Sequence, residues 1–518
     1  MDFAKTAHVA VPVCVCRTAE LPGACERAAA LADFVELRLD CLEVGEFDAT
    51  VGALPSLLKN LKGGVIMTLR PSEQGGRRTL DLDERLSFWS AFFSRPQPPN
   101  VFADIEFDLM PHLRERAEAL TLHVDWSRVI CSQHDFAGVP AALEQLYEQL
   151  AATPASVLKI AVRAHDATDC LPIFRLLERA RREGRALIAV AMGEAGLATR
   201  IIGPARGAFL TFGALDAAHA TAPGQLAAAQ LRDLYRLDTL NAKTEIMGLA
   251  GAPVAHSLSP HLHNAAFAAI NRNAVYMPFE VLDLSQFVRR MIHPRTRELR
   301  WNVRGLSVTA PHKSAIMESL DFIDDAAREI GAVNTVLVKD DALHGSNTDG
   351  EAALVPLENL LELRGARVAV IGAGGAARAA LWSLRRHGAN VTVFARRPAV
   401  AQVCAQQFDA RAAALAGAHF GGFDLVINTT PLGTRGALEG DAPAAHEQLR
   451  GARAAYDLVY NPSETRFMRE ARQADCEIVV GGLSMLVAQA AAQFELWTGQ
   501  AAPLAVMRAA AEQQLAKT

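Results

Sequence analysis

The stretch Ser156-Val-Leu-Lys-Ile-Ala-Val162 holds a lysine inside an otherwise apolar run. Runs of this length and composition form strands covered on both faces. Alternation along a strand puts Lys159 on the same face as Val157 and Ala161. Burying an unpaired ammonium is costly, so such a group tends to lose its proton. A neutral amine held in an apolar wall is a nucleophile toward carbonyls. The other reading is a lysine at the strand's end, its stem packed and its head in water. Alone, the segment favours this second reading; its neighbours reverse it.

Outward from Lys159, short apolar runs alternate with helix-length segments from residue 8 to 212. The runs are Val9–Cys16, Phe34–Leu39, Gly64–Leu69, Val101–Phe107, Arg128–Cys131, Val157–Val162, Ala186–Ala191 and Phe209–Thr211. Strand–helix alternation predicts right-handed βαβ units and a parallel sheet. Eight units in this length predict a closed (β/α)8 TIM barrel, with a doubly wound sheet as the rival. A barrel carries its catalytic groups at the carboxyl ends of its strands. Those ends hold Glu36 and Arg38, then Arg70, then Asp104 and Glu106, then Ser132-Gln-His-Asp135, and then Lys159. Glu36 with Arg38 alone reads as a structural ion pair. Charges recurring at one end of successive strands read as a site. His134 alone reads as a loop histidine. One unit before Lys159, it is the acid–base partner that Schiff-base chemistry requires. Arg70 and Arg200 are candidates to clamp a carboxylate through two-pronged bonds.

The 518 residues allow two or more domains with full cores. Half are hydrophobic and about a fifth charged, the balance of a globular chain. A net charge of −5 gives no basic field for nucleic acid. The eight cysteines form no CxxC pair and read as reduced, buried thiols, neither a disulfide framework nor a metal site. Met-Asp-Phe-Ala-Lys-Thr lacks a signal-peptide profile, no apolar stretch reaches membrane-spanning length, and no Arg/Ser-rich leader is seen. These features predict a cytoplasmic protein that engages no membrane; they assign no oligomeric state. Pro223–Leu240 reads as an amphipathic helix through Leu226, Leu231, Leu234 and Leu237, and polar Asn241–Glu245 marks a domain boundary. The expected domains are 1–240, then 241–350 completed by helices in 482–518, then 351–481.

In the second half, Ile246-Met-Gly-Leu-Ala250 leads into a loop ending Ser257-Leu-Ser259-Pro260, where serines cap a helix or bind an anion. Ser307-Val-Thr-Ala-Pro-His-Lys313 has the same outline, and a lysine opening a helix opposes its dipole and needs a reason. Asn334-Thr335 and Asn347-Thr-Asp349-Gly350 add polar groups, and a lysine–aspartate pair can move a proton. Arg367-Val-Ala-Val-Ile371, Gly372-Ala373-Gly374-Gly375-Ala376 and the strand Val391–Phe394 form the strand–glycine turn–helix–strand unit of a Rossmann dinucleotide site. An NAD site would end the second strand with an acid; Arg396-Arg397 stand there instead and suit the 2′-phosphate of NADP.

Glu36-Leu-Arg-Leu-Asp40, Thr68-Leu-Arg70, Ser132-Gln-His-Asp-Phe136, Lys159-Ile-Ala, Thr211-Phe-Gly213 and Ala222-Pro-Gly-Gln225 resemble type I 3-dehydroquinate dehydratase over about residues 8–238. The resemblance implies a Schiff base on Lys159, His134 as general acid–base, Arg200 on the carboxylate, and Glu36, Arg38 and Arg70 in the pocket. It also implies a substrate-binding Thr221 and a closing loop that carries Gln225. That family usually has Glu where Gln74 precedes Gly75-Gly76, which puts the loop's support of His134 in question. From about residue 246 to the end, Ser257-Leu-Ser-Pro, Ser307-Val-Thr-Ala-Pro-His-Lys, Asn347-Thr-Asp-Gly, Gly372-Ala-Gly-Gly-Ala, Asn428-Thr-Thr-Pro-Leu-Gly433, Tyr456-Asp-Leu-Val-Tyr460 and Gly482-Leu-Ser-Met-Leu-Val-Ala-Gln489 resemble shikimate dehydrogenase. That resemblance implies Lys313 and Asp349 as the catalytic pair. Ser257, Ser259, Thr309, Asn334, Tyr460 and Gln489 would hold substrate, and Thr429 and Gly482 would join the glycine turn around NADP. The departures are Ser307 for the usual Asn and Ala395 for the Asn of the cofactor motif. Together the resemblances imply consecutive shikimate-pathway steps in one chain, 3-dehydroquinate to 3-dehydroshikimate to shikimate. Two rival readings are a catabolic quinate/shikimate dehydrogenase fusion and an inactive metabolite sensor.

Overall fold

A computed structural model of the chain describes residues 7–517. The amino-terminal Met-Asp-Phe-Ala-Lys-Thr segment, read above for targeting signals, lies outside the described residues. The chain falls into two compact units, one running through Glu245 and including Met277–Met291 and Arg297–Asn302, the other holding the remainder.

The first unit is the expected barrel. Its parallel strands are β1 (Val9–Val13), β2 (Phe34–Arg38), β3 (Gly64–Thr68), β4 (Val101–Glu106), β5 (Val129–Asp135), β6 (Val157–Arg163), β7 (Ala186–Met192) and β8 (Thr211–Phe212). Each strand pairs with the next through β7, and β1 pairs with β8. A bridge between Leu187 and Ala208, with Phe209 N–H donating to Leu187 O at 2.8 Å, closes the ring.

The strands build the site in layers, because residues two apart share a face. Phe34, Ile66, Phe102, Ile130 and Val157 form an apolar cluster inside the barrel. Two residues further along each strand stand Glu36, Thr68, Asp104, Ser132 and Lys159. Two further again stand Arg38, Arg70, Glu106, His134 and Ala161. On these five strands an apolar floor thus carries two successive layers of mostly polar side chains at the carboxyl end, while β7 and β8 supply the apolar Ile188, Val190 and Phe212.

Two expectations for this unit fail. Cys14 and Cys41 form a disulfide, because β1 and β2 are neighbours and bring their carboxyl ends to a Cα separation of 5.3 Å. Cys16 is exposed, while Cys25, Cys131, Cys170, Cys404 and Cys476 are buried free thiols, as read. The helix expected over Pro223–Leu240 shrinks to a π-helical segment, Gln230–Leu234, and a 3-10 turn, Leu237–Thr239. Gly224 is left-handed, at φ +65°, and a Cβ there would meet Gly193 O at 2.3 Å. Ala227 bridges to Ala214, so helical winding cannot begin before it.

The other strands form two six-stranded sheets, which belong to the second unit except for Glu245, Met277–Glu280 and Asn302. The first is formed by β9 (Glu245–Gly251), β10 (Ala274–Glu280), β11 (Asn302–Val308), β12 (Phe322–Ile323), β13 (Thr335–Lys339) and β14 (Ala342–Ser346), in the order β10-β9-β11-β13-β14-β12. The second is formed by β15 (Arg367–Ile371), β16 (Asn390–Ala395), β17 (Arg411–Ala414), β18 (Leu425–Asn428), β19 (Ala454–Asp457) and β20 (Ile478–Val480). It is parallel throughout, in the order β17-β16-β15-β18-β19-β20, the doubly wound arrangement whose switch point lies at β15. The helix Gly375–Arg386 starts at that point.

Candidate functional sites

Glu36, Arg38, Arg70, His134, Lys159, Arg200, Thr221 and Gln225 all line one cavity in the barrel, of about 580 Å³ with its mouth included. The lysine is not in an apolar wall. Lys159 Nζ donates to Asp104 Oδ2 at 2.6 Å, stands 3.6 Å from Glu36 Oε1, and lies over the Phe212 ring at 4.5 Å. The neutral amine expected from burial alone therefore gives way to a lysine faced by two carboxylates. Burial would raise Asp104, but Arg70 and Lys159 beside it hold its carboxyl at about 2. Glu36 does not pair with Arg38: it accepts from Thr68 Oγ1 at 2.9 Å, while Arg38 forks onto Asp40 at 2.9 and 2.7 Å.

Arg70 joins the layers. It donates to Asp104 at 2.7 Å and to His134 Nδ1 at 2.9 Å. Arginine only donates, so Nδ1 must accept, and the proton of the neutral ring sits on Nε2. Burial, then Arg70, Lys159 and Arg38, push the imidazole well below its ordinary value. The loop after β3 keeps its support of the histidine despite its substitution, since Gln74 Oε1 accepts from His134 N at 2.8 Å. Phe136 packs over Gly75, where a Cβ would meet its ring at 2.3 Å.

Arg200 is 2 % exposed and donates only to the carbonyls of Phe212 and Pro223, at 3.4 and 3.3 Å. Among the described residues no carboxylate pairs with it. Burial lowers it to about 10, with Glu194 opposing. A desolvated guanidinium without an anion is a receptor for one. Gln225 Oε1 accepts from Thr221 N at 2.7 Å and ties the ends of its loop together.

In the second unit Lys313 Nζ donates to Asp349 Oδ2 at 2.5 Å. Lys313 does not open a helix: it stands in a turn before the short 3-10 segment Ala315–Ser319, so the expected conflict with a helix dipole does not arise. Its Cδ would lie 3.2 Å from a Cβ on Gly375, which sets the pair against the nucleotide turn. Ser257 Oγ accepts from Ser259 N at 3.2 Å, at the start of the helix Ser259–Ala269. Burial pushes the Tyr460 phenol up, opposed by a hydrogen bond with Ser257. Asn334 is buried and bonded to Thr348, the residue before Asp349. Thr309 packs on Gly251, where a Cβ would meet its Cγ2 at 2.3 Å. Gln489 is half-buried and donates within its own helix to Leu486 O at 3.0 Å, so no hydrogen bond joins it to the other predicted groups.

The glycine turn fits a dinucleotide. Gly372 has φ +124°, and Thr429 Oγ1 would lie 2.2 Å from a Cβ on it. A Cβ on Gly374 would meet nothing within 4 Å, which leaves open space at the start of the helix Gly375–Arg386. Ala373 and Ala376 flank these glycines, and Gly482 is packed on Leu458 O, 2.2 Å from where its Cβ would be. Arg396 and Arg397 are exposed just past β16, and no carboxylate among the described residues pairs with them.

Comparison with known proteins matches the stretches that carry these two sites to families. Residues 9–242 match type I 3-dehydroquinase, 249–336 the shikimate dehydrogenase substrate-binding domain, 360–434 a putative NAD(P)-binding domain, and 482–512 the shikimate 5′-dehydrogenase C-terminal domain. The chain is 31% identical to the chloroplastic bifunctional 3-dehydroquinate dehydratase/shikimate dehydrogenase of Arabidopsis thaliana, over 91% of this chain and 78% of that one. The chain belongs to this bifunctional family. A shikimate dehydrogenase (NADP(+)) of Moorella thermoacetica is 41% identical over 52% of this chain and 92% of its own length. A solved shikimate 5-dehydrogenase of Thermus thermophilus, in complex with NADP(H) and shikimate, is 35% identical over 52% of this chain and 99% of that one, with a TM-score of 0.46.

For this bifunctional enzyme, sequence reasoning placed Asp104 only as a strand-end acid, although it is the nearest partner of Lys159. The signal was present: Asp104 stands two residues after Phe102, as Lys159 does after Val157. Phe212, Asp40 and the buried Gln493 were not singled out either. Among the described residues no helix is long and apolar enough to cross a membrane.

Proposed function

We propose that the barrel dehydrates 3-dehydroquinate to 3-dehydroshikimate through Lys159, and that the second unit reduces that ketone to shikimate through Lys313 and Asp349. The observation that carries the first role is one cavity holding a buried lysine, a histidine and an arginine without an anion. Arg200 takes the substrate carboxylate. Lys159 adds to the ketone as its free amine, and Asp104, held ionised, orients it. His134 moves protons as the carbinolamine loses water. It then removes the proton beside the iminium carbon, and the ring hydroxyl leaves as water. The bond from Arg70 occupies the nitrogen that must act as base. His134 therefore becomes basic only when a substrate oxygen draws Arg70 away. Hydrolysis frees Lys159 and releases the unsaturated ketone. Glu36, Arg38, Thr221 and Gln225 complete the pocket.

In the second unit NADPH, when bound, supplies the hydride. Gly372, Ala373, Gly374, Gly375, Ala376, Thr429 and Gly482 shape its cradle, and Arg396 and Arg397 hold the 2′-phosphate. Lys313 gives a proton to the oxygen formed at the carbonyl, and Asp349 holds the lysine and takes part in the transfer. Ser257, Ser259, Thr309, Asn334, Tyr460 and Gln489 bind the ring acid. We assign residues 1–240 to the dehydratase domain, 241–350 with 482–518 to the substrate domain, and 351–481 to the nucleotide domain. We place both activities in the cytoplasm, which suits the five buried free thiols and to which the Cys14–Cys41 disulfide is the exception.

The test supplies 3-dehydroquinate and NADPH together and follows shikimate. Its formation with NADPH oxidation, without added 3-dehydroshikimate, is the expected result. Dehydration without NADPH oxidation would remove the second assignment, and NADPH oxidation only on added 3-dehydroshikimate would remove the first.

A further inference from the structure

Behind the second site a chain of buried hydrogen bonds runs from Tyr276 to the candidate ligand Asn334. Tyr276 OH and Ser307 Oγ are 2.8 Å apart, and Ser307 Oγ and Gln493 Oε1 2.7 Å. Gln493 Nε2 donates to Thr335 Oγ1 at 3.0 Å and to Asn334 O at 3.2 Å. Thr335 Oγ1 donates to Asn334 Oδ1 at 2.7 Å. Tyr276, Ser307, Gln493, Thr335 and Asn334 are all buried.

Two backbone groups fix the direction of this chain. The carbonyl of Asn334 can only accept, so the atom of Gln493 facing it is the amide nitrogen and the other is the oxygen. Ser307 must then donate to Gln493, which leaves Tyr276 to donate to Ser307. At the far end the N–H of Thr348 can only donate, and it meets Asn334 Oδ1 at 2.9 Å. That oxygen also receives the Thr335 hydroxyl, so both of its lone pairs face protein. Asn334 Nδ2 gives one hydrogen to Thr348 Oγ1 at 3.0 Å and keeps one N–H. Tyr276 is itself clamped, with His263 stacked on it at 4.4 Å.

We propose that Gln493 is a positioning residue: itself held by Ser307, it acts through Thr335 to keep the Asn334 amide oxygen turned inward beside the Thr348 N–H, so that Asn334 meets the hydroxylated ring acid as a donor to its oxygens. The inference rests on the reading of the second site given above. It also gives Ser307 a use, since its hydroxyl accepts from Tyr276 while donating to Gln493. A flipped Asn334 would oppose its oxygen to a substrate oxygen.

The test measures shikimate oxidation by the full chain in Gln493→Met, Thr335→Val and Ser307→Ala, alone and combined with Asn334→Ala. The expected result is a shikimate KM raised about tenfold by Gln493→Met and less by the other two, with the NADP KM and kcat held within about threefold. In the Asn334→Ala background, Gln493→Met should add less than about twofold, because both changes remove one effect. A shikimate KM unmoved by all three variants would overturn the inference. So would parallel rises in both KM values, or effects that persist in full without Asn334. Thr335→Val and Ser307→Ala break the same chain with small changes of volume, so they decide the matter if Gln493→Met does not fold. If Asn334→Ala alone leaves the shikimate KM unchanged, the site reading falls and takes the inference with it. If Asn334→Ala raises it and the other variants do not, the inference alone falls.

Discussion

Both sites set a lysine against an aspartate at nearly the same distance, 2.6 Å for Lys159–Asp104 and 2.5 Å for Lys313–Asp349. Their surroundings differ. Lys159 and Asp104 are 7 % and 0 % exposed, Glu36 faces the amine, and Arg70 binds the aspartate and His134 together. Lys313 is 21 % exposed, with Asp349 as its one ion-pair partner among the described residues, against a glycine turn. A lysine that must add to a ketone, lose its product and be restored needs proton carriers on several sides. A lysine that only gives and regains a proton needs one partner and access to solvent. The same residue pair therefore serves two chemistries, and the second layer of side chains separates them.

Exchanging the lysines breaks the comparison most sharply. Lys159→Met should cut dehydration by about 10⁴-fold or more, since the covalent route is lost. Reduction of added 3-dehydroshikimate should continue. Lys313→Met should cut reduction by about 10²–10⁴-fold, the range for one acid–base group, and spare dehydration. Borohydride with 3-dehydroquinate should trap an adduct in Lys313→Met and none in Lys159→Met. An adduct on both variants would show that Lys159 is not the nucleophile.

The two ligand anions come next. Arg200→Met should raise the KM for 3-dehydroquinate by about 10²-fold, because a buried guanidinium–carboxylate pair is lost. Arg200→Lys should recover little, lacking the planar fork. Titration of the two variants with substrate, read by initial rates, separates them. Arg396→Ala with Arg397→Ala loses an exposed contact and should raise the NADPH KM by about tenfold while leaving the NADH KM almost unchanged. An equal rise for both cofactors would mean that these arginines do not read the 2′-phosphate.

How far each site is legible in the sequence follows the same division. In the barrel, the eight apolar runs correspond to the eight strands, and Glu36, Arg38, Arg70, His134, Lys159, Arg200, Thr221 and Gln225 line the cavity, while the run-end groups Asp104, Glu106 and Ser132 stand behind its lining. Alternation fixes which face Lys159 takes, but it does not tell what stands opposite. Asp104 is 55 residues away in the chain and reaches the lysine only because β4 and β6 flank β5 in a closed ring. The Cys14–Cys41 disulfide was missed for the same reason: with no CxxC spacing, only the pairing of β1 with β2 reveals it. In the second unit the glycine turn is legible because its chemistry is local, as five consecutive residues. The chain from Tyr276 to Asn334 is not, since it draws on segments as much as 186 residues apart, and a buried glutamine inside a helix looks like any other polar residue of that helix.

The smallest effect tests the least expected residue of the barrel. Gln74 holds the backbone of His134 with a neutral oxygen, while burial and the cations Arg70, Lys159 and Arg38 push the imidazole well below its ordinary value. These surroundings disfavour the imidazolium, and the ring becomes available as a base once Arg70 moves. Gln74→Glu keeps the acceptor and adds a negative charge, which favours the imidazolium and moves the histidine's value upward. The base form is then lost at a higher pH as acid is added. The acid limb of the dehydratase kcat/KM profile should shift to higher pH, while activity at pH 8 stays within about threefold of the parent. A limb that stays in place would separate the low value of His134 from the charges around it. A limb that moves to lower pH would show that the group titrating there is not His134, because an added carboxylate can only raise an imidazole beside it.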